Sequence, residues 1–127
     1  MKKEPKFFIC KHCGNIVTFI NESGAPLSCC GDKMNEILPN TTEAAVEKHI
    51  PVVTTDGNLI TINVGSVPHP MTEEHYIQWI YLETSTGFLM TYLNATDSPI
   101  ASFELTSEKA IAAYAYCNLH GLWKVEL

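Results

Sequence analysis

Histidine and cysteine are the residues of this chain whose types and spacing could carry chemistry. Three short segments contain four of the five histidines, together with the one cysteine that lies beyond residue 36. These candidate ligands are His49, His69, His75, Cys117 and His120. Imidazoles with one thiolate suit iron or copper, and five protein ligands leave one octahedral position open. The pattern therefore predicts a metal site at which a small molecule can react.

Charged residues next to these histidines are candidate catalytic groups. Glu47 and Lys48 directly precede His49, so either side chain could reach a small anion at the open position. Glu73 and Glu74 stand next to the third histidine of the set, but five other ligands make them unnecessary. We expect both of these glutamates to face solvent.

A second group of cysteines lies near the start of the chain. Cys10 and Cys13 are followed by a glycine, which lets backbone amides point at sulfur. Cys29 and Cys30 complete four soft ligands for tetrahedral zinc or iron, although ligation by adjacent residues should distort the tetrahedron. Spacing alone favours structural zinc, which is common in such sites. His12 stands between two ligands, but four thiols already fill the shell.

The elements that must position these residues are predicted to be almost entirely β-strands. Phe7–Ile9 and Ile16–Ile20 would be short strands in a first domain of residues 1–36, which is too small to fold without the energy of metal binding. The stretch Glu36–Thr42 indicates a linker, assigned to residues 37–41, because Pro39 blocks regular structure. Thr42 would cap one helical turn at the start of a second domain, residues 42–127.

Seven β-rich runs in the second domain, separated by turn residues, predict an antiparallel β-sandwich. The runs are Ile50–Thr54, Leu59–Val64, His75–Glu83, Phe88–Leu93, Ala101–Leu105, Ala110–Tyr116 and Leu122–Leu127. The candidate ligands then lie at strand ends or in loops. A rigid sandwich could hold them together at one of its ends.

Composition restricts the classes of function. The net charge is −6 and all eight cationic residues are lysine, which argues against a nucleic-acid partner. The sequence has no signal-type apolar core and no run long enough to span a membrane, so we expect a cytoplasmic protein without a membrane partner. An odd number of cysteines then favours metal ligation over disulfides. From residue 37 onward three lysines face ten acids, so an anionic substrate needs local attraction.

Taken together, these motifs resemble desulfoferrodoxin, the two-iron class of superoxide reductase, over nearly the whole chain. The motifs are Cys10-x-x-Cys13 with Cys29-Cys30, Glu47-Lys48-His49, His69-Pro70-Met71-x-x-x-His75-Tyr76-Ile77 and Cys117-Asn118-Leu119-His120-Gly121-Leu122-Trp123. The resemblance implies a desulforedoxin-like knuckle that binds iron through its four cysteines, followed by an immunoglobulin-like sandwich. It also implies a second iron with four equatorial histidines and Cys117 as the axial ligand.

The same resemblance implies an activity and partners. A protein of this class is an oxidoreductase that reduces superoxide by one electron to hydrogen peroxide. Lys48 would attract the anion, and Glu47 would occupy the vacant position of the ferric state. An external donor, typically rubredoxin, would reduce the iron again, and a homodimer is an allowed assembly. The residues alone also permit a non-catalytic electron carrier, which would need only the four-cysteine centre, or a zinc-stabilised binding protein.

Overall fold

The computed structural model describes residues 3–127, which form two compact units. One unit comprises Lys3–Leu38 and the other comprises Pro39–Leu127. Both are built almost entirely from β-strands, which confirms the predicted all-β class. The first two residues of the predicted domain 1–36 lie outside the described residues. Within residues 3–127, no helix has the length and apolar character needed to cross a membrane.

The first unit has short strands and very little core. Its strands are β1 (Phe7–Ile9), β2 (Ile16–Thr18), β3 (Ser28–Cys29), β4 (Asp32–Lys33) and β5 (Asn35–Ile37). Strand β1 pairs antiparallel with β2 on one side and β5 on the other, and β3 forms a hairpin with β4. Among the described residues of this unit, the buried apolar side chains are Phe7, Cys10 and Met34.

The end of this unit differs from the prediction. Ile37, which the sequence assigned to the linker 37–41, belongs with Glu36 to β5, and both pair with residues of β1. Pro39 lies beyond the strand and therefore does not interrupt its hydrogen bonds. Strand β2 ends at Thr18, two residues earlier than predicted, and the side chain of Ile20 is 95% exposed.

The second unit contains one short helix and all seven predicted strands. They are α1 (Val46–His49), β6 (Pro51–Asp56), β7 (Leu59–Val64), β8 (Ile77–Thr84), β9 (Phe88–Tyr92), β10 (Ile100–Glu104), β11 (Ala110–Cys117) and β12 (Gly121–Glu126). The strands form an antiparallel sheet of order β10-β7-β6 and another of order β12-β11-β8-β9. Each predicted strand is present, and its bounds differ from the prediction by at most two residues.

The two sheets share one apolar core, as a sandwich requires. Ile60, Ile62 and Val64 of β7 are buried in alternation with more exposed residues, as are Ala101 and Phe103 of β10. From the other sheet, Ile77, Ile80, Leu82, Ala113, Ala115 and Cys117 join the same buried cluster. The core therefore ends at the thiol of Cys117, which is a candidate metal ligand.

The helix begins later than the sequence predicts. Its first residue is Val46, and the N-cap residue Ala45 makes no side-chain hydrogen bond, so Thr42 does not cap it. Backbone contacts hold the turn instead, because the N–H of Ile50 donates to the carbonyl of Val46 at 3.0 Å. The predicted cap is wrong because residues without helical structure separate Thr42 from the helix, which begins at Val46.

Candidate metal centres

The five predicted ligands of the second unit meet at one end of the sandwich. His49 ends α1, His69 lies in the loop after β7, His75 lies just before β8, Cys117 ends β11, and His120 lies just before β12. Antiparallel neighbours begin and end at the same edge, so residues far apart in sequence converge there. Ligand atoms of His49, His69, His75 and Cys117 lie within 4.8 Å of one another.

The four imidazole rings form a square. Going round from His49 to His69, His75, His120 and back, the ring centroids are 4.6, 4.7, 5.0 and 4.9 Å apart. Neighbouring rings are nearly perpendicular, and the diagonal from His49 to His75 is 6.5 Å. Nδ1 of His120 lies 3.2 Å from Nε2 of His49 and 3.9 Å from Sγ of Cys117. Four nitrogen donors thus surround one point, with a thiol on the core side.

Backbone carbonyls determine the tautomers of two of these rings. Nδ1 of His49 donates to the carbonyl of Ala45 at 2.7 Å, and Nδ1 of His69 donates to that of Pro70 at 2.7 Å. Because a carbonyl can only accept, both rings carry their proton on Nδ1 and present a lone pair at Nε2. These two Nε2 atoms face each other at 3.1 Å. Two lone pairs at that distance repel each other unless they bind a common cation.

Burial keeps these rings neutral and so ready to bind a metal. It lowers the pKa of His69 to about 4, and it also lowers the pKa of His49 and of His75. Nε2 of His75 is buried without a hydrogen-bond partner, which is costly for a polar atom unless an ion binds it. Burial raises the pKa of the Cys117 thiol, so this thiol needs a strong cation to lose its proton. These imidazole and thiol donors therefore fit a metal ion, and the softness of the donors suits iron or copper.

Asn118 is a structural part of the site that the sequence interpretation did not identify. Its Oδ1 accepts a hydrogen bond from the N–H of Tyr76 at 3.0 Å, and its Nδ2 donates to the carbonyl of Glu74 at 2.9 Å. These bonds tie the loop that follows Cys117 to the loop that carries His75. An amide between two ligands was visible in the motif, but only its partners reveal what it holds.

Trp123 is a second such residue. Its ring stacks on that of His49, with centroids 4.9 Å apart, and its Nε1 donates to the carbonyl of His120 at 3.0 Å. The indole thus restrains two ligands from outside the square. The sequence places Trp123 in the same motif as His120, yet gives no sign that it packs against a histidine 74 positions earlier in the chain.

The charged residues near the site lie at the surface. Glu47 and Lys48 are exposed on α1, directly before His49. Burial, followed by the neighbouring His120 and then the charge of Lys48, lowers the pKa of His75. Glu73 and Glu74 are exposed, as predicted.

The first unit holds its candidate centre with two turns. Strand β3 ends at Cys29, and Cys30 with Gly31 forms the two-residue turn to Asp32. Both turn residues have positive φ, +53° and +79°, as a type I′ hairpin turn requires. Adjacent cysteines can serve one ion because one ends a strand and the other lies in the turn. The four thiol sulfurs lie within 4.8 Å of one another.

The second turn directs amides at sulfur, as the sequence predicted. The N–H of Gly14 donates to the carbonyl of Cys10 at 2.8 Å. The backbone N–H of Cys13 donates to the Cys10 thiolate and helps to lower the pKa of that thiol to about 6. Hydrogen bonding with Cys10 raises the pKa of Cys29, and with Cys13 raises that of Cys30 to about 12. Four thiolates therefore need a cation to coexist here, which fits a tetrahedral metal.

His12 lies beside this centre and has another partner. Its Nε2 is 2.6 Å from Oδ2 of Asp32, and both side chains are more than half exposed. The contact joins the turn of the first cysteine pair to the strand after the second pair. This arrangement agrees with the expectation that four thiols suffice without the imidazole.

Comparison with known proteins gives matches along almost the whole chain. The family profile described as desulfoferrodoxin matches residues 41–126, and that of the desulfoferrodoxin N-terminal domain matches residues 3–37. A desulfoferrodoxin from Nitratidesulfovibrio vulgaris is 40% identical over 126 residues, which is 99% of each chain.

One solved structure matches almost the whole chain, and another matches about two thirds of it. The superoxide reductase from Treponema pallidum superposes with a TM-score of 0.82 and 36% identity, covering 98% of this chain and 100% of that one. A superoxide reductase (1Fe-SOR) from Giardia intestinalis has a TM-score of 0.54 and 37% identity, and it covers 64% of this chain and 99% of its own.

Fold and sites together define a non-haem metalloprotein with two separate centres. The chain belongs to the desulfoferrodoxin family. This membership confirms the resemblance drawn from the motifs, and it makes iron the metal of both centres, against the zinc that cysteine spacing alone favours.

Proposed function

We propose that this protein is a superoxide reductase, which converts superoxide to hydrogen peroxide with one electron and two protons. The observation that carries the proposal is the square of four imidazoles above a core thiol, with a lysine beside it. Relatives named superoxide reductase support it, including one from Thermococcus kodakarensis that is 36% identical over 99 residues.

The metal ligands in this proposal are His49, His69, His75, His120 and Cys117. When bound, ferrous iron supplies the electron that superoxide needs. The residues prepare the site, because the Nδ1 hydrogen bonds of His49 and His69 keep their Nε2 lone pairs turned inward. Cys117 occupies the side that faces the core, so the opposite side of the square is left for a small molecule.

Lys48 and Glu47 act on that open side. The Lys48 ammonium attracts an anion in a unit that is otherwise rich in acids, and water near this exposed group can deliver the two protons. The backbone carbonyl of Glu47 accepts a hydrogen bond from the N–H of Val67 at 2.9 Å, while its carboxylate side chain is exposed at the surface. We infer that this carboxylate covers the open side between turnovers.

The first unit serves as a second iron centre with Cys10, Cys13, Cys29 and Cys30 as ligands. Its turns expose two of the four thiols, which suits exchange of electrons with a partner protein. We propose that an external donor such as rubredoxin supplies the electrons, and that the two units are separate functional domains joined near Pro39. A cytoplasmic location and a homodimer stay predictions.

One experiment tests the function directly. Purified protein is analysed for metals and its visible spectrum is recorded after air oxidation. The protein is then reduced with an excess of an external electron donor, and superoxide consumption is followed together with oxygen evolution. We expect two iron ions per chain, absorption from both iron–thiolate centres, and loss of superoxide without release of oxygen. A colourless zinc protein, or iron in the four-cysteine centre alone, would leave only a binding protein or an electron carrier.

A further inference from the structure

Gly65 lies where the loop that carries His69 crosses the helix that carries His49. It follows the last residue of β7 and has φ +85°, in the left-handed region. A Cβ placed here would lie 2.7 Å from the carbonyl oxygen of Glu47 and 2.7 Å from the carbonyl carbon of Lys48. It would lie closer still to the carbonyl oxygen of Val67. All three are backbone atoms, so no side-chain rotation could relieve the contact.

Hydrogen bonds hold the two segments at this close approach. The N–H of Gly65 donates to the carbonyl of Ile50 at 3.2 Å, and the N–H of Val67 donates to that of Glu47 at 2.9 Å. The hydroxyl of Ser66 donates to the same Glu47 carbonyl at 3.3 Å. The loop therefore lies directly on the backbone of α1, and only a residue without a side chain fits between them.

Both segments end in a histidine of the square. His49 follows Lys48, and His69 ends the loop, where its N–H donates to the carbonyl of Val64 at 3.3 Å. The Nδ1 partners of the two rings, Ala45 and Pro70, belong to the same two segments. Any shift of the loop relative to the helix must therefore change the 3.1 Å separation of the two Nε2 atoms.

We propose that Gly65 is a positioning residue of the second centre, which sets the spacing of His49 and His69 and, through α1, the place of Glu47 and Lys48. The inference rests on the proposed function, because it assumes that the square binds iron. It adds a residue that binds neither metal nor substrate yet fixes one edge of the square.

The test compares Gly65→Ala with Gly57→Ala in the iron-loaded full chain. Gly57 also has a left-handed φ, +61°, but a Cβ there meets nothing within 4 Å. The two variants share the backbone strain and differ in the contacts that the new Cβ makes with α1 and with the carbonyl of Val67. The readouts are the rate at which a chelator removes iron from the second centre and the low-temperature EPR spectrum of that centre in its ferric state. The visible absorption of the four-cysteine centre is the internal control.

We expect Gly65→Ala to lose second-centre iron about tenfold faster than Gly57→Ala, by analogy with the loss of residues that orient metal ligands. Its ferric EPR spectrum should change, while the four-cysteine absorption stays the same in both variants. Ser66→Ala, which adds no contact, should change the same two readouts in the same direction by a smaller factor. If Gly65→Ala does not fold, the readouts of Ser66→Ala test the proposal.

Equal release rates and identical EPR spectra in Gly65→Ala and Gly57→Ala would overturn the inference. If Gly65→Ala is unfolded, a wild-type release rate and spectrum in Ser66→Ala would overturn it as well. Failure of the proposed function looks different. It would appear as wild-type protein that binds no iron at the square, before any variant is compared.

Discussion

The two metal centres of this chain are held by opposite means. In the first unit, four cysteines lie on short strands and turns, two of them are exposed, and few apolar side chains are buried around them. In the second unit, His49 and His69 are buried at the end of a sandwich core that consists mainly of apolar side chains and includes Cys117. Metal binding must hold the first unit together, whereas the fold of the second unit holds the metal site.

This difference sets what each centre can do. A ligand set fixed by a large fold can keep one side open, because the remaining ligands do not collapse into the gap. A ligand set that is itself the main support of its unit must be closed, as four thiolates around one ion are. This difference supports the proposal that a small molecule reacts at the square of imidazoles rather than at the four-cysteine centre.

The largest expected effect comes from the thiol that joins core and site. Cys117→Ser should lower the rate of superoxide reduction by about 100-fold or more, because the thiol that would bind the metal from the core side is lost. The four-cysteine absorption should stay at its wild-type value, since the two ligand sets share no residue. Stopped-flow kinetics with metal analysis measures both. Near wild-type activity in a protein loaded with two irons would show that Cys117 is not a ligand.

The next largest effect is expected from removal of the metals, to which the two units should respond differently. With a strong chelator, we expect the first unit to lose its fold entirely and the second to keep its sandwich. Both tryptophans, Trp79 and Trp123, lie in the second unit, so fluorescence reports on that unit alone. Amide NMR spectra report on both. Persisting chemical-shift dispersion for residues of the first unit would contradict the idea that metal holds it together.

Cys13→Ser tests the difference between the two centres by mutation instead of by metal removal. It should bleach the four-cysteine absorption and leave the reaction of superoxide at the second centre within about twofold of wild type, because sites without shared partners act independently. The rates of the variant and the wild type are compared at equal iron content of the second centre. A large fall in the bimolecular rate would show that the two centres act together in the reaction.

A smaller effect is expected from Lys48→Ala, which removes charge without removing a ligand. The rate of the encounter with superoxide should fall by up to about tenfold, and it should depend less on ionic strength than in wild type. Lys109→Ala is the matched control, because Lys109 is an exposed lysine of the same unit whose backbone N–H donates to the hydroxyl of Ser85. Stopped-flow or pulse-radiolysis rates over a salt series decide it. An identical salt dependence in Lys48→Ala and wild type would mean that this lysine does not attract the anion.

The smallest effect concerns the metal-free second unit and pH. The pKa of His69 is about 4 in the folded protein against an ordinary 6.5, so the unfolded chain binds more protons between these values. The contribution of His69 to the free energy of unfolding is therefore fully present above pH 6.5, and it is lost as the pH decreases through this window. His69 alone should remove on the order of 1 kcal/mol between pH 7.5 and 5.5. Urea unfolding followed by tryptophan fluorescence measures it, and His69→Gln should flatten the dependence. A flat profile in the wild-type chain would contradict the burial of a neutral ring.

The sequence by itself determined the all-β class and the positions of the strands, and it supplied the candidate ligands. Cysteine pairs close in sequence, strand-length apolar runs and turn residues are local signals, so the four-cysteine knuckle and all seven strands of the sandwich could be predicted. The predicted start of the linker between the two units was wrong. Glu36 and Ile37 became part of β5 because their partners lie in β1, and no local pattern shows a partner strand.

Only the tertiary structure decided the geometry of the second centre. His49 and His120 are separated by 71 residues yet come within 3.2 Å, because the two sheets pack with the start of β6 near the start of β12. The carbonyls of Ala45 and Pro70, the amide of Asn118 and the close approach at Gly65 are contacts between segments, and residue type does not encode them. The physical reason is that a ligand set needs both the right atoms and their spacing. The sequence supplies the atoms, and packing of the two sheets supplies the spacing.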